Sequence, residues 1–195
     1  MKVLIIDDRQ ERQQMFLNDL YQKLKNIKDI TLKSSFSKEE DTDYDIFAIH
    51  RSYLKTKDDL DFDKVRDNIL EQKKYFISFS GSINEAHIIG NGHYLQIGSR
   101  EFYSKKTVDF FEKLQMQNSD IEEEHLFEQM LYGKSWKLTY LLKLKNYLWR
   151  KGLNKLEVPE QEGDEDIYEE LSDLFGTEMN IERIDEEIEK ITNNF

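Results

Sequence analysis

Lys2-Val3-Leu4-Ile5-Ile6-Asp7-Asp8 decides the fold class. Four consecutive apolar residues, all branched at Cβ or Cγ, stop abruptly at two carboxylates. That is the pattern of a strand buried on both faces, as in a parallel sheet covered by helices. A helix is expected next. Phe16, Leu17, Leu20, Leu24 and Ile27 recur at helical spacing, while Arg9, Glu11, Arg12, Asp19, Lys23 and Lys25 take the remaining faces.

The same alternation continues along the chain. Ile30-Thr31-Leu32 reads as a second strand, Ser37-Lys38-Glu39-Glu40 has the form of a capping box, and Ile46-Phe47-Ala48-Ile49 is a third apolar run. Asp58 to Lys74 carries Leu60, Phe62, Val65, Ile69 and Leu70 and predicts a helix. Tyr75-Phe76-Ile77-Ser78-Phe79 is a fourth strand stopping at Ser80-Gly81-Ser82. The turn Gly90-Asn91-Gly92 leads into a fifth, Tyr94-Leu95-Gln96-Ile97, and Ser104 to Leu114 is a further helix. A β-α order repeated five times predicts an α/β domain over residues 1–117: a five-stranded parallel sheet with helices on both faces, joined by right-handed crossovers.

Beyond Gln117 the alternation stops, and residues 118–195 read as an α-helical extension. Ser119-Asp120-Ile121-Glu122 is a second capping box, before a helix ending near Gly133. Residues 134–151 form a basic helix that is apolar on more than one side and wants partners on two. Residues 157–164, with the chain's single proline, Pro159, form a polar break. Two acidic amphipathic helices follow within 165–193. One carries Ile167, Tyr168, Leu171, Leu174 and Phe175, the other Ile181, Ile184, Ile188 and Ile191.

Charge sharpens this division. The 195 residues include 40 Asp plus Glu and 28 Lys plus Arg, a balance of −12. Residues 157–195 hold 15 acidic and 2 basic side chains, so residues 1–156 are nearly neutral. A general polycation-like grip on nucleic acid by the whole chain is thereby excluded. Cysteine is absent, which rules out disulfides, thiolate catalysis and cysteine-ligated metal. No apolar run is long enough to span a membrane, and the N-terminus turns acidic too soon for a signal peptide, so a cytoplasmic protein is expected.

In an open parallel sheet, function lies beyond the carboxyl ends of the strands. Those ends deliver Asp7 and Asp8, His50, Ser80 with Gly81, and Ile97-Gly98. With Lys2 to Asp8, Tyr44 to Ile49 and Ser80-Gly81, the first 116 residues or so resemble the receiver domain of two-component response regulators, a three-layer α/β sandwich with flavodoxin-like topology. The resemblance implies a magnesium-binding acidic pair at Asp7 and Asp8 and a hydroxyl position at Ser80. It also implies a phosphoryl-accepting aspartate where His50 stands, a lysine where Ile97 stands, and a switching aromatic near Tyr94.

The departures matter chemically. An imidazole at position 50 gives a hard cation no oxygen ligand, and an isoleucine at position 97 gives an acyl phosphate no counter-charge. The resemblance therefore implies a degenerate, phosphorylation-incompetent receiver: a non-enzymatic signalling or scaffold protein with no cofactor beyond a residual magnesium at Asp7 and Asp8. Asp8 has a second reading as a helix cap, and His50 has one as a histidine satisfied by the acidic pair. Gly133-Lys134-Ser135 imitates a phosphate-binding loop but has Glu128 where the first glycine is required, and it lies between helices.

Between Glu128 and Glu157 there are seven basic residues and no acidic one. Trp136, Tyr140, Lys143, Lys145, Tyr147, Trp149 and Arg150 are the candidate interface, for a protein partner or a second copy. The alternative is a nucleic-acid-associated regulator binding through residues 134–155. Against both stands a simpler expectation, that the acidic helices following it cover the basic helix.

Overall fold

The structure is a computed structural model. It describes residues 1–7, 9, 11, 14–16, 18–19, 29–36, 43–52, 61–90, 92–116, 121–159 and 163–193. The chain forms two compact units, Met1–Met130 and Leu131–Phe195.

The first unit is built on a six-stranded sheet: β1 (Val3–Ile6), β2 (Ile30–Lys33), β3 (Ile46–His50), β4 (Tyr75–Ser80), β5 (His87–Ile89) and β6 (Tyr94–Gly98), in the order β2-β1-β3-β4-β6-β5. Every pairing is parallel except that of β5 with β6. Five parallel strands were expected, so the sixth is a correction. The chain leaves β4 and returns antiparallel along the outer side of β6, so that β5 takes the place of a crossover helix. Residues 81–86 are too few for a crossover helix, and Gly90 and Gly92, both at positive φ, supply the left-handed backbone of the hairpin turn.

Strand alternation divides the core between the two faces of the sheet. On one face Leu4, Ile6, Phe47, Ile49, Phe76 and Tyr94 pack with Phe62, Val65 and Ile69 of α1 (Phe62–Glu71). Helix α1 opens at Asp61, whose carboxylate accepts from the Asp63 N–H at 3.1 Å, later than the start expected at Asp58; residues 53–60 lie outside the described residues. On the other face lie Val3, Ile5, Ala48, Ile77, Phe79, Leu95 and Ile97, all buried. Phe16, Phe102 of α2 (Ser99–Phe102) and Phe111 of α3 (Lys105–Leu114) form an aromatic group with Phe79; the Phe79 and Phe102 rings stack at 4.2 Å. The residues described between Glu11 and Asp19 are helical, as expected after β1. Leu17, Leu20, Leu24 and Ile27 of that stripe, and the capping box at residues 37–40, lie outside the described residues.

Gly98, at the end of β6, is required by a close approach. A Cβ there would lie 2.7 Å from the backbone carbonyl oxygen of Ile83, and backbone cannot swing aside as a flexible side chain can. Gly98→Ala is expected to cost about 1–3 kcal/mol, as overpacking does. Equilibrium urea denaturation measures it, and an unchanged midpoint would refute the contact.

The α/β unit extends past the boundary read at residue 117. Tyr75 Oη donates to the Glu123 carbonyl at 2.7 Å, and the Phe127 ring meets Tyr75 edge-on, so α4 (Leu126–Tyr132) begins as part of the first unit. Sequence periodicity shows that a helix is amphipathic, not which body it packs on.

The second unit holds α5 (Trp136–Lys151), α6 (Glu165–Phe175) and α7 (Ile181–Thr192). Tyr140, Leu141, Leu144, Tyr147 and Leu148 of α5 form one core with Leu156, Leu171 and Ile184. Helix α5 ends at Gly152 in the left-handed conformation, and Leu153 N–H returns to the Leu148 carbonyl at 2.9 Å. Asn180 caps α7 by accepting from the Arg183 N–H at 2.9 Å.

Candidate functional site

From β1 the chain moves to β2 on one side, and from β3 it moves to β4 on the other, so the strand order reverses between β1 and β3. The crevice of an open α/β sheet is expected at that point. Asp7 follows β1 and His50 closes β3, one on each side of the reversal; Ser80 closes β4 and pairs with Gly98 at the end of β6. The structure therefore brings Asp7, His50, Ser80 and Ile97 to one edge of the sheet. Asp8 lies outside the described residues.

Asp7 is fully buried. Its Oδ1 accepts from the Arg9 N–H at 3.0 Å, and its Oδ2 accepts from Tyr103 Oη at 2.6 Å. The hydroxyl comes from the residue after α2, beside the aromatic group on the same face of the sheet: Tyr103 meets Phe16 and Phe79 edge-on, each at 5.4 Å. A buried carboxylate is tolerable only when hydrogen-bonded, and here both oxygens are. Tyr103 was not anticipated. Its one sequence signal is an aromatic pair, Phe102-Tyr103, just after a strand end that faces the crevice.

His50 is buried too. Its Nδ1 lies 2.7 Å from Ser52 Oγ, and its ring meets Phe79 edge-on at 5.2 Å. A partner in the acidic pair was expected; Nδ1 lies against Ser52, two residues on, and Asp8 is outside the described residues. Ser80 Oγ lies 3.0 Å from Ser82 Oγ and accepts from the Ser82 N–H at 3.3 Å, a local turn closing the strand. Ile97 is buried on the face that carries Phe79.

Tyr94 points to the opposite face. Its hydroxyl lies 3.1 Å from Ser78 Oγ and accepts from Gln96 Nε2 at 2.9 Å, and the Arg66 guanidinium stands over its ring. Burial works against the Arg66 charge, but Asp67 and Asp63 beside it outweigh that and hold its pKa above the ordinary value.

A magnesium ion needs several oxygens in near-octahedral array. Each Asp7 oxygen accepts one hydrogen bond, and among the described residues, which do not include Asp8, no group of three or more histidines and carboxylates could hold a metal.

The candidate interface on α5 divides in two. Tyr140 and Tyr147 are buried in the core of the second unit, and Trp136 packs against it. Burial, followed by the Asp164 charge, pushes the Tyr147 hydroxyl above its ordinary pKa. Five of the seven basic residues pair with the acidic helices or their flanks: Lys137 with Glu187 at 3.1 Å, Lys143 with Glu170, Lys145 with Asp185, Lys151 with Asp164, and Lys155 with Glu178 at 3.4 Å. Glu170 also accepts from Tyr140 Oη at 3.1 Å. The acidic helices therefore cover the basic one, and Lys143, Lys145, Trp136, Tyr140 and Tyr147 are engaged within the unit. Trp149 and Arg150 are exposed.

No helix among the described residues is long and apolar enough to cross a membrane. Set beside family models, curated proteins and solved structures, the chain matches none of them.

Proposed function

We propose that this chain is a non-catalytic signalling or scaffold protein, in which a receiver-like α/β unit without phosphotransfer chemistry is joined to a helical unit used for partner binding. One observation carries the reading. At the end of β3, beside the reversal of strand order, stands a buried imidazole held by Ser52 and Phe79, where a receiver needs a solvent-reachable carboxylate. The parallel strands in the order β2-β1-β3-β4-β6 support the flavodoxin-like comparison, and β5 is then an addition at the edge. Ile97 supports the loss of function, because an apolar side chain cannot pair with a phosphoryl group. Tyr103 on Asp7 supports it again, because that hydroxyl ties the carboxylate into the aromatic group beside the strand ends.

The pairing of five lysines within the helical unit favours this reading over the nucleic-acid alternative. The test is incubation of the full chain with acetyl phosphate and magnesium, followed by intact mass measurement. No added phosphoryl group is expected. A stable adduct within Met1–Met130 would overturn the proposal.

A further inference from the structure

Helix α5 has two apolar sides. One, carrying Tyr140, Leu144 and Tyr147, is met by α6 and α7. At about 100° per residue, Leu138, Leu142 and Trp149 fall together on the opposite side. Leu138 is half-buried, but Leu142 is 50% exposed and Trp149 is 78% exposed. A lone exposed apolar residue needs no explanation. Two on one stripe of one helix, one of them a tryptophan beside an arginine, have the composition of a binding hot spot.

Charge selects the occupant. Arg150 and Lys145 flank the stripe, and no acidic residue occurs from Gln129 to Leu156. Arg150 forms no ion pair among the described residues, while Lys145 is already matched by Asp185. A second copy laid through the same stripe would bring basic flank against basic flank. An acidic amphipathic helix meets both requirements, with apolar residues over Leu142 and Trp149 and carboxylates toward Arg150.

The unit itself shows that α5 accepts this chemistry. Helices α6 and α7 are acidic and amphipathic, and they seat on the other side of α5 by an apolar seam with lysine–carboxylate pairs at its margins. We infer that the open side of α5 is a docking site for an acidic amphipathic helix of a partner protein. The inference rests on the reading of the helical unit as a partner-binding element, and it names the partner's chemistry.

The experiment uses the full chain and, as probe, a synthetic peptide with the sequence of residues 164–193 added in trans, followed by tryptophan emission. A saturable blue shift is expected, weakening as salt rises. Both substituted positions are exposed, so Leu142→Asp with Arg150→Glu leaves the fold intact, and it should weaken binding about tenfold or more. A peptide with its Asp and Glu replaced by Lys should produce no shift.

Absence of a shift at low salt overturns the inference. So does equal affinity in the double variant, which would mean that the peptide exchanges with the chain's own helices. Self-association in analytical ultracentrifugation that Leu142→Asp abolishes would place a second copy on this side instead. A shift with a single-stranded oligonucleotide but not with the peptide would assign the surface to nucleic acid. A phosphoryl adduct on the first unit would sink the reading of that unit as phosphorylation-incompetent and leave this result standing.

Discussion

Phe79→Ala is expected to remove about 3–5 kcal/mol from the stability of the α/β unit, the range for deleting a buried phenylalanine. Phe79 is fully buried on β4, and its backbone lies in register between His50 of β3 and Ile97 of β6. Its ring stacks on Phe102 at 4.2 Å and meets Tyr103 at 5.4 Å and His50 at 5.2 Å. Deleting it opens a cavity and also removes three ring contacts, each worth roughly 0.5–1.5 kcal/mol beyond buried area. Those neighbours cannot close the gap by moving inward, because Tyr103 is tied to Asp7 and His50 to Ser52.

Tryptophan emission will not report this loss. Both tryptophans, Trp136 and Trp149, lie in the second unit, so amide hydrogen exchange in β1, β3 and β4 is the measurement. Phe79→Leu, which refills much of the space, should recover part of the protection. If Phe79→Ala leaves exchange in these strands unchanged, the aromatic group does not hold the strand ends.

The strand ends were legible because burial on both faces leaves an unmistakable trace. Val3 to Ile6, Ile46 to Ile49 and Phe76 to Phe79 are runs that no solvated segment would carry, and each ends where a polar residue meets the crevice. Asp7, His50 and Ser80 could therefore be placed at one edge by counting to the end of each strand. Their partners could not. The hydroxyl on Asp7 belongs to Tyr103, 96 residues along the chain, and nothing local to either residue announces the other.

The hairpin of β5 was hidden for a different reason. Three residues, His87-Ile88-Ile89, are too short a run to announce an edge strand, and Gly90-Asn91-Gly92 is equally at home in an ordinary loop. The limits of the α/β unit were misjudged because Phe127 packs on Tyr75 through a tertiary contact that periodicity does not encode. In the helical unit, opposite charges adjacent in sequence pointed correctly to cover, but Lys145 meeting Asp185 rather than a nearer carboxylate depends on where α7 lies.

Leu171→Ala in α6 is expected to cost about 2–5 kcal/mol, read as a lowered urea midpoint in tryptophan emission. Leu171 is fully buried in the core that joins α5 to α6 and α7, and Trp136 packs against the same core. The ion pairs of this unit should contribute far less, because their groups remain solvated and salt screens them. They have a pH signature that the apolar seam lacks. Lys190, and then Lys137, hold the Glu187 carboxyl below its ordinary value of 4.5. Its folded pKa is thus below its unfolded one, so the pair stabilises the unit above pH 4.5, and that contribution is lost as pH falls through the folded value.

Glu187→Gln should abolish this share of the acid sensitivity while shifting the neutral-pH midpoint much less than Leu171→Ala does. Were the two substitutions equally costly at neutral pH, charge rather than the seam would hold the acidic helices on α5. The basic helix could then be uncovered by salt or by a competing polyanion, and the nucleic-acid reading would regain its footing. With the seam dominant, the covered side of α5 stays covered, and its open side is the one left to meet a partner.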